Sequence, residues 1–215
     1  MNFMHRGTKF EDNGKPAPRP RGRPRSFDTE ATLAQATLTF WQRGYAATSL
    51  DDLSAATGLN RPSLYGAFGD KHALYLQALR LYTEQSDAAI AAALAGRSVR
   101  EGLLRVYELA LQLYCPADAA ARGCLLIGTA ATEAPRDDAI RQALGDALRG
   151  FTAAFEARLR RAMDDGELPA STDAAMRAQL ASAVLHSMAL RARAGDAREA
   201  LAALALAGVE MVVSR

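Results

Sequence analysis

"LNRPSLYGAFGDK", residues 59 to 71, specifies the start, the two faces and the end of one short helix. Asn60 is a capping residue able to accept from first-turn amides, and Pro62 is tolerated there because that turn has no amide bond to lose. Leu59 can staple onto Leu64 across the cap. Leu64 and Phe68, four apart, turn to a core. Arg61 and Tyr65, also four apart, project from another side, where the low profiles of Pro62, Ser63 and Gly66 let the backbone approach a partner. Gly69 stops the helix and Asp70 caps the next.

Two helices precede it. The first runs from an Asp28 cap, with Glu30 in its first turn, to Arg43, where Gly44 provides a stop; Leu33, Ala36, Thr37, Phe40 and Trp41 form its inward stripe. Thr48 opens the second, with Asp51 three residues on to close a capping box, Leu50 and Leu53 turned inward, and Gly58 supplying the bend in "TGLN". Two short helices joined by a glycine-containing turn, the second with a polar and aromatic outer face, form a helix-turn-helix. Such a second helix fits a DNA major groove. An ordinary three-helix bundle is the plain alternative.

Downstream, helices are expected at 71–95, 98–114, 122–132, 137–165, 172–194 and 197–213, with Pro116, Pro135 and Pro169 in the breaks. Helix formers dominate, alternating β-branched runs are missing, and no interval of 20 to 50 residues repeats, so the fold class is all-α, a bundle of about nine helices. No apolar run approaches the roughly 18 residues of a membrane span, and the start lacks a secretory core, which predicts a cytoplasmic protein. Cys115 and Cys124 are too few for a disulfide scaffold, and His5, His72 and His186 are scattered, so neither a metal nor a cofactor is expected. With no nucleophile and base pair, phosphate loop or metal spacing, the chain does not read as an enzyme.

Charge is unevenly placed. The net charge is +2, yet residues 1 to 27 carry +5 and the remainder −3. Within the basic arm, "RPRGRPRSF" at 19 to 27 contains Arg21, Gly22, Arg23 and Pro24, the R-G-R-P core of an AT-hook, followed by Arg25. Three readings are open: a hook sufficient for an architectural DNA-binding protein, a minor-groove arm supplementing the helix-turn-helix, or a solvated tail. The reading head itself is not basic. Arg43, Arg61, Lys71 and Arg80 face Asp28, Glu30, Asp51, Asp52 and Asp70, a net −1 between residues 28 and 80, so phosphate neutralisation must lean on the arm.

Residues 33 to 79 resemble the DNA-binding domain of the TetR family of bacterial transcriptional regulators, through "F-x-x-x-G-Y-x-x-T-S", "D-L-x-x-x-T-G-L" and "S-L-Y-x-x-F-x-x-K-x-x-L". Gly14, Pro16 and Pro18 and the lack of apolar periodicity make residues 1–27 a disordered basic arm, and the resemblance implies a helix-turn-helix domain over 28–72 and a helical ligand-binding and dimerisation domain over 73–215. It puts Thr48 and Lys71 on phosphates and makes Arg61, Pro62, Ser63 and Tyr65 the groove-facing surface. Helix N-termini do favour phosphate, and Arg61 is the best candidate for a bidentate guanine contact. It implies double-stranded DNA with a palindromic operator as partner, a small-molecule effector whose binding releases a repressor, and a homodimer through residues 172–213. Leu180, Val184, Leu185, Met188, Leu201, Leu204, Leu206 and Val209 supply apolar surface for that pairing.

Tyr82, Tyr107, Tyr114, Thr129, Met163 and Met188 are candidates to line the effector pocket, though residues of these types on such helices are more often plain core; without an inward charged pair, an apolar or aromatic effector is favoured. Cys124 begins an apolar helix whose dipole could lower its thiol pKa, leaving a cysteine-based redox sensor, even a Cys115 to Cys124 disulfide, as an alternative to a plain buried cysteine.

Overall fold

A computed structural model describes residues 27–117 and 120–214. Among these residues the secondary structure is entirely helical: α1 (Thr29–Arg43), α2 (Leu50–Thr57), α3 (Arg61–Phe68), α4 (Lys71–Leu94), α5 (Val99–Tyr114), α6 (Ala131–Glu133, preceded by a π-helical turn over Leu126–Ala130), α7 (Asp138–Asp164), α8 (Ala174–Ala194) and α9 (Arg198–Val213). Each longer helix but α9 starts at a side chain that accepts from its own first turn: Asp28, Ser49, Asn60, Asp70, Ser98, Asp137 and Asp173.

One boundary corrects the sequence reading. The capping box of α2 is built by Ser49 and Asp52, not Thr48 and Asp51: Ser49 Oγ accepts from the Asp52 amide at 3.1 Å while the Asp52 carboxylate accepts from the Ser49 amide at 2.9 Å. Thr48 is 1% exposed and its hydroxyl donates to the Gly44 carbonyl at 2.6 Å. Both Thr48 and Ser49 have an aspartate three residues on, so the local pattern fits either; burial of the threonine methyl decides.

α1 packs across α2 and α4, and α3 lies on α2 and α4, forming a compact head around Phe40, Leu53, Leu64, Phe68 and Leu74. α4, about 36 Å long by its 24 residues, leaves the head to pack on α5 and α7. α7 with α8, and α8 with α9, complete the body. The α8–α9 approach is close because Gly208 has no side chain: a Cβ there would lie 2.7 and 2.9 Å from the two γ-methyls of Val184.

Head and body share one continuous core. Tyr75 stacks edge-on against Phe40 at 5.0 Å, and Trp41 meets Tyr82 edge-on at 4.9 Å. Trp41 Nε1 also donates to the Gly123 carbonyl at 3.0 Å in a buried bond. The segment expected as a helix from 122 is non-helical through Cys124. Gly123 takes φ +62, and a Cβ on it would sit 2.4 Å from the Ala189 carbonyl of α8, so the loop needs glycine twice over. The following turn is π-helical, with Thr129 Oγ1 bonded to the Leu125 carbonyl at 2.7 Å and to Tyr75 Oη at 2.6 Å.

Candidate functional site

α3 presents the surface that its sequence specifies. Asn60 Oδ1 accepts from the Ser63 amide at 2.9 Å, and Leu64 and Phe68 are buried. Arg61, Pro62 and Tyr65 are exposed, Tyr65 at 47%, Ser63 is half-buried, and nothing lies within 4 Å of where a Gly66 Cβ would be. The outer face is therefore low, polar and unobstructed, backed by a fixed apolar face.

Arg61 is already oriented. Its Nε and Nη2 donate to Asp51 Oδ1 at 3.0 and 2.7 Å, and Nη2 also reaches Oδ2 at 2.7 Å. These bonds raise the guanidinium pKa further. Asp51 occupies the Nε edge of the fork and leaves the Nη1 end available for a second bidentate partner. Arg43 is likewise paired with Asp52 at 2.5 Å. The Asp52 carboxylate is held below its usual range, first by hydrogen bonds from Ser49. Sequence reading gave Asp51 a capping role and counted Asp52 only as charge, and it missed that Asp51 grips Arg61; the signal was an acid in the first turn of one helix facing an arginine at the start of the next.

The expected phosphate contacts fare differently. Thr48 is turned inward and offers no hydroxyl to solvent, which corrects its expected placement. Lys71 sits at the start of α4 but folds over the Tyr45 ring, Nζ 4.5 Å from its centroid, and burial lowers its pKa. Arg21, Arg23 and Arg25 lie outside the described residues.

A cavity of about 260 Å³ lies between α1, α4, α5, α7 and α8. Its wall includes Trp41, Tyr82, Tyr114, Phe151, Ile90 and Leu185, with Gln85 and Ser86 adding an amide and a hydroxyl. Of the six side chains expected to line a pocket, Tyr82 and Tyr114 do. Tyr107 is fully buried, its hydroxyl donating to the Ala181 carbonyl at 3.0 Å, and it borders a separate open groove between α5 and α9. Thr129 is committed to Leu125 and Tyr75, Met188 is fully buried, and Met163 packs on the core from a half-buried position. None of these four lines the cavity. Trp41 was expected only as core of the first helix, and its part in the cavity wall was missed.

Cys124 does not have a lowered pKa. Burial, the largest influence, pushes the thiol up against the opposing bonds from Tyr82 and the Ile127 and Leu126 amides, and it is 4% exposed. Tyr82 Oη donates to its sulfur at 3.2 Å. Cys115 and Cys124 are both free thiols. The thiol is thus a shielded core group, the opposite of a reactive thiolate. His186 is half-buried beside Thr152 and Ser182 in a groove of α7 and α8, and burial lowers its pKa. Among the described residues no group of three or more His, Cys, Asp or Glu could hold a metal ion, and no helix is long and apolar enough to cross a membrane.

Residues 33–78 match the family of bacterial regulatory proteins, tetR family, and residues 101–207 match the tetracyclin repressor-like C-terminal domain. The HTH-type transcriptional repressor ComR of Escherichia coli (strain K12) is 32% identical over 187 residues, 86% of this chain and 89% of that protein. YezE of Bacillus subtilis (strain 168), an uncharacterized HTH-type transcriptional regulator, is 33% identical over 148 residues, 68% of this chain and 76% of that protein. Among solved structures, a cysteine mutant of the TetR family transcriptional regulator CifR, complexed with 26-bp double-strand operator DNA, superposes with a TM-score of 0.78 at 35% identity, covering 89% of this chain and 98% of that one. With its helix-turn-helix head, its helical body and similarity across both, the chain belongs to the TetR family of DNA-binding bacterial transcriptional regulators.

Proposed function

We propose that the chain is a dimeric repressor that holds a palindromic operator and releases it when a small molecule enters the cavity between α1 and the body. The observation that carries this reading is the cavity's wall: Trp41 belongs to α1 of the head, yet lines a pocket otherwise built by α4, α5, α7 and α8. A molecule there touches the DNA-binding unit and the body at once. For that contact to release DNA, the ligand must bind the non-operator arrangement more tightly than the operator-bound one.

In this reading residues 28–72 form the DNA-binding domain and 73–215 the effector and dimerisation domain. Arg61 reads a guanine, Pro62, Ser63 and Tyr65 shape the groove contact, and Lys71 swings from Tyr45 onto a phosphate. Arg21, Arg23 and Arg25 enter the adjoining minor groove. Dimerisation uses α8 and α9, on which Met176, Leu190, Leu206 and Met211 are each more than half exposed despite their apolar character. Large exposed apolar side chains concentrated on two adjacent helices favour pairing with a second copy. Light scattering should give twice the chain mass, and footprinting should show two half-sites related by two-fold symmetry about one helical turn apart. A monomer, or an asymmetric footprint, refutes the proposal.

A further inference from the structure

We propose that the cavity takes an uncharged, compact aromatic molecule, and that Trp41 is the residue through which its occupancy reaches the DNA-binding surface. The proposal rests on the effector reading above and adds the ligand's class and the route of the signal.

The class follows from the wall. No described lining residue carries a charge, so a carboxylate or ammonium would lose its hydration without gaining an ion partner. Trp41, Tyr82, Tyr114 and Phe151 supply four aromatic side chains, and ring against ring is favoured in offset or edge-on contact. Tyr82 directs its hydroxyl to Cys124, which leaves ring carbon for the ligand. Tyr114, like Tyr82, has its hydroxyl committed to Cys124, so Gln85 and Ser86 are the polar side chains left in the described wall, enough to orient one hydroxyl or carbonyl.

The route follows from what holds Trp41. Its indole N–H is bonded to the Gly123 carbonyl, and Arg122 lies over the ring at 4.2 Å. Arg193, near the end of α8, donates to the Arg122 carbonyl at 3.2 Å and comes within 3.5 Å of the Trp41 carbonyl. Gly123 is pressed on α8 at Ala189. Trp41 is thus the point where α1, the 122–124 loop and α8 are fastened together beside the cavity. A ligand that displaces the indole shifts α1 against α8, and α1 carries α2 and α3 with it. Interfaces packed this tightly respond by moving between discrete arrangements.

Trp41 is the sole tryptophan, so its emission reads the site directly. The test titrates the full chain with para-ethylphenol, neutral at pH 7 as the tyrosine side chain is, and with para-ethylbenzoate, an anion of similar shape. Calorimetry and tryptophan emission should report saturable binding of the phenol, with the benzoate at least tenfold weaker. Operator DNA alone should also shift the emission, because coupling is reciprocal. Ala89→Phe, which fills the cavity from α4, should abolish phenol binding. Trp41→Phe should keep phenol binding within about tenfold but lose most of the phenol's effect on operator affinity. Equal binding of the benzoate, absent binding of the phenol, or binding that survives Ala89→Phe overturns the ligand assignment. Undiminished operator release in Trp41→Phe, or an emission indifferent to operator, overturns the route. Cavity-dependent phenol binding that leaves wild-type operator affinity unchanged overturns the release reading and the route together while the ligand class stands.

Discussion

Replacing Gly208 by alanine sets two opposing effects against each other at the α8–α9 contact. Alanine in a helix interior is better than glycine by about 1 kcal/mol. The added Cβ, however, would stand 2.7 and 2.9 Å from the γ-methyls of Val184, where carbon atoms normally rest about 3.5–4.0 Å apart. Valine in a helix strongly prefers one χ1 rotamer, so the methyls cannot swing away cheaply and the helices must part by several tenths of an ångström. Overpacking of this kind costs about 1–3 kcal/mol. The net expectation is a loss of up to about 2 kcal/mol in the wild-type background. In a Val184→Ala background the obstruction is gone, and Gly208→Ala should stabilise by about 1 kcal/mol. The double-mutant cycle should therefore show a coupling of about 1–3 kcal/mol. Urea unfolding followed by circular dichroism at one fixed protein concentration measures all four proteins, since stability linked to pairing varies with concentration. Stabilisation by Gly208→Ala in the wild-type background, or additivity of the two changes, would refute the packing argument.

Glu167→Ala should destabilise the body by about 2–3 kcal/mol, because it strands Arg158, whose side chain is 7% exposed and donates to Glu167 at 2.6 Å. Desolvation pushes the Glu167 pKa up, but bonds from Arg158 and the Val99 amide outweigh it and leave the carboxyl below its ordinary value. A lowered folded pKa contributes stability that is present above the unfolded value, about 4.3, and is lost as pH falls through the folded one, so an acid titration of stability should be shallower in Glu167→Gln. Asp51→Asn should strengthen binding to unrelated DNA while reducing discrimination at the base proposed for Arg61 by about threefold or more, checked by comparing the operator with a single-base variant. If discrimination is unchanged, Asp51 does not position Arg61. Replacing Arg21 and Arg23 by alanine should weaken operator binding and flatten its salt dependence by about one unit of slope per lost phosphate contact; an unchanged slope would make the arm a solvated tail.

α3 was legible to the residue because its cap, apolar face, outer face and stop are all local properties of thirteen consecutive residues. The ends of α4, α5 and α7 follow within a residue or so from glycine, proline and capping side chains for the same reason. What was not legible depends on distant neighbours. Thr48 and Ser49 are equivalent as caps until one of them is buried. Helical spacing gave Cys124 a dipole, but its thiol is governed by the core that encloses it. In a bundle a buried face meets either packed atoms or a hole, and periodicity alone does not separate Tyr82 from Tyr107 or Met188. Trp41 needed the Gly123 loop, 82 residues away, to become more than an inward residue of α1.

The pairing of both head arginines with aspartates also governs the molecule away from its operator. Arg43 and Arg61 are each matched by an acid on α2, so the head brings little uncompensated charge to an arbitrary stretch of duplex. Weak electrostatic adhesion shortens each chance encounter with DNA, and a head of this kind leaves wrong sequences quickly. On the proposed function, long dwell then has to come from what α3 gains at matched bases, while capture from solution falls to the arginine-rich arm. That reading divides search and recognition between two segments adjoining in sequence, and altering the arm's charge should change how fast the operator is found more than how faithfully it is chosen.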